Sequence, residues 1–176
     1  VGLALTIYSD RVVSIQPWAG LPLELAGRIG VPTTPANRPA GPTNVISPGL
    51  VWIPPGEFVL GSPNEEKDRE LDEGPLTQVS IPAGFWMSAH ETTQADYEAL
   101  MGRNPSQYTG DPLRPVEKVN WQEAVDYCRA LNAREQAAGR LPEGYAFRLP
   151  TEAEWEYAGR AGTTTRFSHG DDPGYL

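Results

Sequence analysis

Cysteine is nearly absent from this 176-residue chain: Cys128 stands alone. A single thiol excludes an intrachain disulfide and leaves the redox compartment undecided. Positive charge is short as well, with 14 Lys and Arg against 23 Asp and Glu and a net charge of −9. Neutralising a phosphate backbone needs a basic face, so nucleic acid is excluded as a partner. The longest apolar stretches, near Val1–Ile7 and Val51–Pro55, are far too short to span a bilayer as a helix. No basic segment followed by an apolar one opens the chain, so no signal peptide is visible. The first residue is Val1 rather than Met, and truncation is the expected reason. Histidine is limited to His90 and His169. Neither stands in the H-x-x-x-H or H-E-x-x-H spacing that places two ligands on one metal.

Glycine and proline are plentiful, 18 of each, which argues for a loop-rich fold rather than a helical bundle. Hydrophobic content of 39% with 21% charged residues reads as soluble and globular, and the length suits one ordinary domain with a real core. Residues 1–30 carry short apolar stretches (Leu3, Leu5, Ile7; Val12, Val13, Ile15). They are expected to form two short strands, as an N-terminal extension or the tail of a preceding β-rich domain. Residues 31–49 hold five prolines and no helical period, the composition of a semi-extended linker. The organised domain is expected over residues 50–176.

Within it, Val51–Ile53 and Phe58–Leu60 read as strands separated by Pro54-Pro55-Gly56. Thr77–Ile81 alternates like a half-buried strand, and Phe85–Met87 is another. Thr93 is placed to cap a helix over 94–101, with Tyr97, Leu100 and Met101 inward and Gly102 as the stop. Asn120 caps the next helix, with Glu123 at the capping-box position. Trp121, Ala124, Val125, Cys128 and Leu131 then repeat as one buried stripe, and the helix is expected to end near Ala138–Gly139. Short strands among separated helices predict an α+β fold with irregular loops.

The run from Phe147 to Gly162, FRLPTEAEWEYAGRAG, is the most specific stretch. A strand at Phe147–Leu149 stops at Pro150 and gives way to a helix over 152–161 capped by Thr151, with Glu154 completing a capping box. Glu152 and Glu154 favour the positive end of the helix dipole, and Gly162 is the expected left-handed stop. Capping, dipole and packing explain the carboxylates Glu152, Glu154 and Glu156 without catalysis.

Other candidate groups have plain readings too. The acidic loop carries Glu65, Glu66, Asp68, Glu70, Asp72 and Glu73 but fails the calcium-loop pattern, so a solvated loop is expected. Cys128 lies on the buried stripe and reads as a small core hydrophobe, not a nucleophile. His90 with Glu91, and His169, lack metal spacing. Trp52, Trp86, Trp121 and Trp155 are expected in core packing rather than on a carbohydrate platform.

FRLPTEAEWEYAGRAG closely resembles the signature of the formylglycine-generating enzyme family, also called the sulfatase-modifying-factor family. VWIPPGEFVLGS (51–62), DEGPLTQVSIPAGFWMSAHETTQADYEALMG (72–102) and RPVEKVNWQEAVDYCRALN (114–132) match it in the same order. The resemblance implies the formylglycine-generating variant of the C-type-lectin-like fold, incomplete here. It implies a copper- and oxygen-dependent oxidase acting on a cysteine in a sulfatase C-x-P-x-R segment. It also implies copper and calcium ligands beyond Leu176, so no catalytic, cofactor or metal residue is assigned within the chain. Three functions follow as expectations: the non-catalytic half of such an oxidase, a binding module for a protein or sugar, or an accessory domain of a sulfur-inserting iron enzyme. An extracytoplasmic or secreted location is preferred to a cytoplasmic one.

Overall fold

The structure, a computed structural model, describes residues 50–168, 170 and 171, together with the backbones of two strands nearer the N-terminus. Those strands are β1 (Thr6–Ser9) and β2 (Ser14–Pro17). They are followed by β3 (Leu50–Ile53), β4 (Gly56–Leu60), β5 (Thr77–Ile81), β6 (Phe85–Ser88), α1 (Gln94–Met101), α2 (Trp121–Ala137), β7 (Tyr145–Arg148) and α3 (Glu152–Arg160). The result is the expected α+β mixture of short strands and separated helices. The linker assigned to residues 31–49 lies outside the described residues.

Contacts divide these elements into two units. The first holds an antiparallel sheet in the order β3-β6-β1-β7, with α1 and α2. Its core is the cluster Trp86, Tyr97, Val116, Tyr127, Cys128, Leu131 and Phe147. Each helix starts as its sequence dictates. Thr93 Oγ1 accepts the Asp96 amide at 3.1 Å, and Gly102 takes the left-handed cap at φ 72°. The amides of Gln94 and Ala95 donate to the carbonyls of Arg114 and Pro112 at 2.8 and 3.0 Å, so the loop before Val116 satisfies donors that a helix start leaves orphaned. Asn120 and Glu123 form the reciprocal capping box of α2 at 2.9 and 2.8 Å.

The buried stripe of α2 differs from its expected composition. Ala124, Tyr127, Cys128, Leu131 and Glu135 are buried, whereas Trp121 is 71% exposed. Trp121 is the first residue of the helix, one turn ahead of Ala124, and none of the unit's described elements buries it. Glu135 is fully buried because Arg140 reaches it at 2.7 and 3.0 Å and Arg134 at 3.0 Å; the Arg140 contact, then Arg134, holds its carboxyl below the usual carboxylate range despite burial.

The second unit holds the antiparallel sheet β2-β5-β4 and α3. Phe58, Val79, Ile81, Ala153 and Tyr157 form its apolar interior, with the Phe58 and Tyr157 rings 5.3 Å apart. Thr151 and Glu154 make the predicted capping box at 3.2 and 2.8 Å. Two expectations on α3 are corrected. Ala161, not Gly162, is the left-handed cap at φ 49°, and Gly162 follows with its own positive φ of 86°. Trp155 is 60% exposed, because Ala153, Glu154 and Tyr157 define the inner face and residue 155 projects from the far side of the helix.

Candidate functional site

The signature run divides into two structural roles. Phe147, Arg148, Leu149 and Pro150 line an open groove of about 470 Å³ against Trp121, Val125, Cys128, Arg129 and Asn132 of α2. The remainder, from Thr151 onward, forms α3 and its cap in the other unit.

The groove exists because Asn132 holds α2 along β7. Its side-chain oxygen accepts the Phe147 amide at 2.7 Å and its NH₂ donates to the Phe147 carbonyl at 2.8 Å. β7 is the last strand of its sheet, so Asn132 supplies the pairing that a neighbouring strand would otherwise give. Phe147 and Cys128 form the floor, 2% and 4% exposed. Arg129 stands on the rim, paired with Asp126 at 2.8 Å with its side chain 70% exposed. Arg148 donates to the Leu149 carbonyl at 2.8 Å.

Burial pushes the Cys128 thiol up to about 11, so the thiolate that a nucleophile or metal ligand needs is scarce at neutral pH. No group of three His, Cys, Asp or Glu side chains suited to a metal occurs among the described residues. A two-thiolate copper site does not fit them, since the one cysteine is buried and protonated. His90 is exposed, with its carbonyl accepting the Ser88 hydroxyl, and Glu91 beside it is exposed as well. His169 lies outside the described residues. Trp86 is 2% exposed in the core, and half-buried Trp52 packs on it with ring centroids 5.4 Å apart. Trp121 and Trp155 leave the core, as described above.

The acidic loop is exposed at Glu65, Asp68, Glu70 and Asp72 and is held through Glu73 and Arg166. Glu73 accepts the Ser62 hydroxyl at 2.7 Å and the Glu70 amide at 3.0 Å. The Glu70 amide, then the Ser62 hydroxyl, holds the Glu73 carboxyl below its ordinary value of 4.5. Arg166 lies 3.5 Å from Asp68 and 4.0 Å from Glu66. These carboxylates are engaged by protein groups, which sequence spacing alone does not reveal. The groove was equally hidden, because it depends on Asn132 meeting a strand 15 residues away.

Comparison with known proteins places this geometry in context. A family model described as the sulfatase-modifying factor enzyme 1-like domain matches residues 36–175. Bovine (Bos taurus) formylglycine-generating enzyme is 26% identical over 185 residues, covering 76% of this chain and 44% of that protein. A protein named chaperone protein LppX, from Paenibacillus barcinonensis, is 33% identical over 103 residues, covering 44% of this chain and 36% of the relative. The solved structure of PvdO from Pseudomonas aeruginosa superposes with a TM-score of 0.57 at 26% identity, covering 71% of this chain and 52% of that one. The match thus spans less than half the length of these two curated relatives. Among the described residues no helix is long and apolar enough to cross a membrane.

Proposed function

The chain belongs to the sulfatase-modifying-factor family, and from that membership we propose that the protein carrying it oxidises a cysteine of a sulfatase-like peptide to Cα-formylglycine. The observation behind this reading is the likeness to formylglycine-generating enzyme along 76% of the chain. Copper and molecular oxygen are the expected cofactor and oxidant. A soft copper ion takes thiolate ligands, and the described residues do not offer a pair of them. Their contribution is therefore scaffold and surface, and no chemical step is assigned to Cys128.

A second reading is a non-catalytic module that binds a protein or sugar. It is favoured by the open groove and by the similarity to a relative named a chaperone. Fold membership alone does not separate the two. The deciding experiment incubates the full protein with a C-x-P-x-R peptide, copper and air, and follows the peptide by mass spectrometry. Conversion of the thiol to an aldehyde supports the oxidase. Intact peptide after incubation with copper-loaded protein removes the oxidase reading and leaves the binding module.

A further inference from the structure

The α2–β7 groove is apolar on its floor and cationic at its rim. Trp121, 71% exposed, forms an aromatic wall of the groove, a residue type that anchors protein contacts. Arg129 spends one N–H on Asp126 at 2.8 Å, and a guanidinium has five to offer. That ion pair joins residues three apart on the exposed face of the helix, where such pairs are weak. A second carboxylate can therefore be received without dismantling anything buried.

A turn elsewhere on the chain has the converse chemistry. Leu71 opens a 3₁₀ turn, Leu71–Glu73, and is 94% exposed. Its neighbours Glu70 and Asp72 are exposed carboxylates. A lone surface leucine is ordinary, but this one sits on a turn pinned by other groups. Glu73 holds the Ser62 hydroxyl and the Glu70 amide, and the Ser62 amide donates back to the Glu73 carbonyl at 3.0 Å. The turn is thus rigid without help from the Leu71 side chain, so little conformational entropy is lost when that side chain docks.

We propose that the Leu71 turn of one copy docks into the α2–β7 groove of a second copy, with Leu71 on the Phe147–Cys128 floor and Glu70 or Asp72 against Arg129. An acidic turn with an apolar tip meets an apolar groove with a basic rim, on a chain whose net charge of −9 makes an exposed cation the rarer partner. The two surfaces differ, so the contact is head-to-tail rather than two-fold. A contact this small belongs to the weak, transient class.

Sedimentation velocity on the whole chain, from about 10 μM to about 1 mM, covers the affinities expected of such a contact. The weight-average mass is expected to rise toward at least twice the single-chain value and to fall back as salt is added. Leu71→Asp and Arg129→Glu each alter an exposed side chain, and each alone is expected to abolish the rise. Mixed together they restore a one-to-one pair, because Leu71→Asp keeps a working groove and Arg129→Glu keeps a working turn. A constant mass for the unsubstituted chain, an undiminished rise in either variant, or a silent mixture would each overturn the proposal.

Discussion

Tyr97 carries its hydroxyl into the core of the first unit, fully buried and without a hydrogen-bond partner among the described residues. Its ring stacks on Tyr127 with centroids 5.4 Å apart and planes 7° from parallel, so packing retains the residue although its polar atom is unpaired. Leaving a hydroxyl buried and unpaired costs about 1–3 kcal/mol. Tyr97→Phe keeps the ring and removes that cost. It is expected to exceed the parent in stability by about 1–3 kcal/mol in urea titrations; a clear loss would reveal an internal water on the hydroxyl. Cys128 makes the opposite kind of statement, about pH. Burial raises its thiol from 9.0 to about 11 in the folded chain. The folded state therefore holds the proton more tightly than the unfolded state, and that contribution is complete below pH 9. It is lost as pH rises through about 11, since the unfolded chain releases the proton first. Burial pushes Tyr127 the same way, to about 12. Urea midpoints measured from pH 8 upward should stay level to about pH 9 and then decline. Thiol reagents should modify Cys128 slowly at neutral pH and quickly once the chain is unfolded.

At the scale of the element, the caps were legible and the pairings between elements were not. Thr93, Asn120 and Thr151 sit where their spacing to Asp96, Glu123 and Glu154 puts them, because capping is decided within four residues of chain. Thr151→Ala removes the acceptor for the Glu154 amide and is expected to cost about 1 kcal/mol, read as a lower urea midpoint with an unchanged slope. Asn132 belongs to a different category. Its amide closes the outer edge of β7 at Phe147, and nothing in the local pattern of α2 marks it out from any exposed helical asparagine. Asn132→Ala strands two backbone groups, so a loss of about 2–6 kcal/mol is expected, at about 1–3 kcal/mol for each unmet group. Hydrogen exchange should show the Phe147 amide losing protection before the rest of β7. A loss of only a few tenths would mean that water replaces the asparagine without penalty. Glu135 was invisible for the same reason: its burial requires Arg134 and Arg140 to converge on one carboxylate.

At the scale of the whole molecule, the apolar burial of the described residues is divided unevenly. Among the described residues the first unit has an aromatic-rich cluster of seven buried residues, while the second buries Phe58, Val79, Ile81, Ala153 and Tyr157. The described core of the second unit is the smaller, and a smaller core offsets less chain entropy, so the second unit is expected to open first on heating. Hydrogen exchange at rising temperature should release the amides of β4 and β5 before those of α2; simultaneous release would show one cooperative block. Trp121 and Trp155 project from these units rather than into them, so an aqueous quencher such as acrylamide should reach them more readily than Trp86, which is 2% exposed.

By itself the sequence determined the family, the α+β class, the positions of the helices, the caps that start them and the strand pattern from residue 50 onward. Those properties rest on co-linear motifs and on interactions between near neighbours, where spacing along the chain equals spacing in space. The tertiary structure alone decided which face of each helix is buried, and so that Trp121 and Trp155 stand outside while Glu135 and Glu154 lie inside. It also decided that the signature's first four residues wall a groove and that the acidic loop is pinned through Glu73. Each of these depends on partners brought together by packing, and periodicity can mark a stripe without showing how far along the helix a neighbour extends.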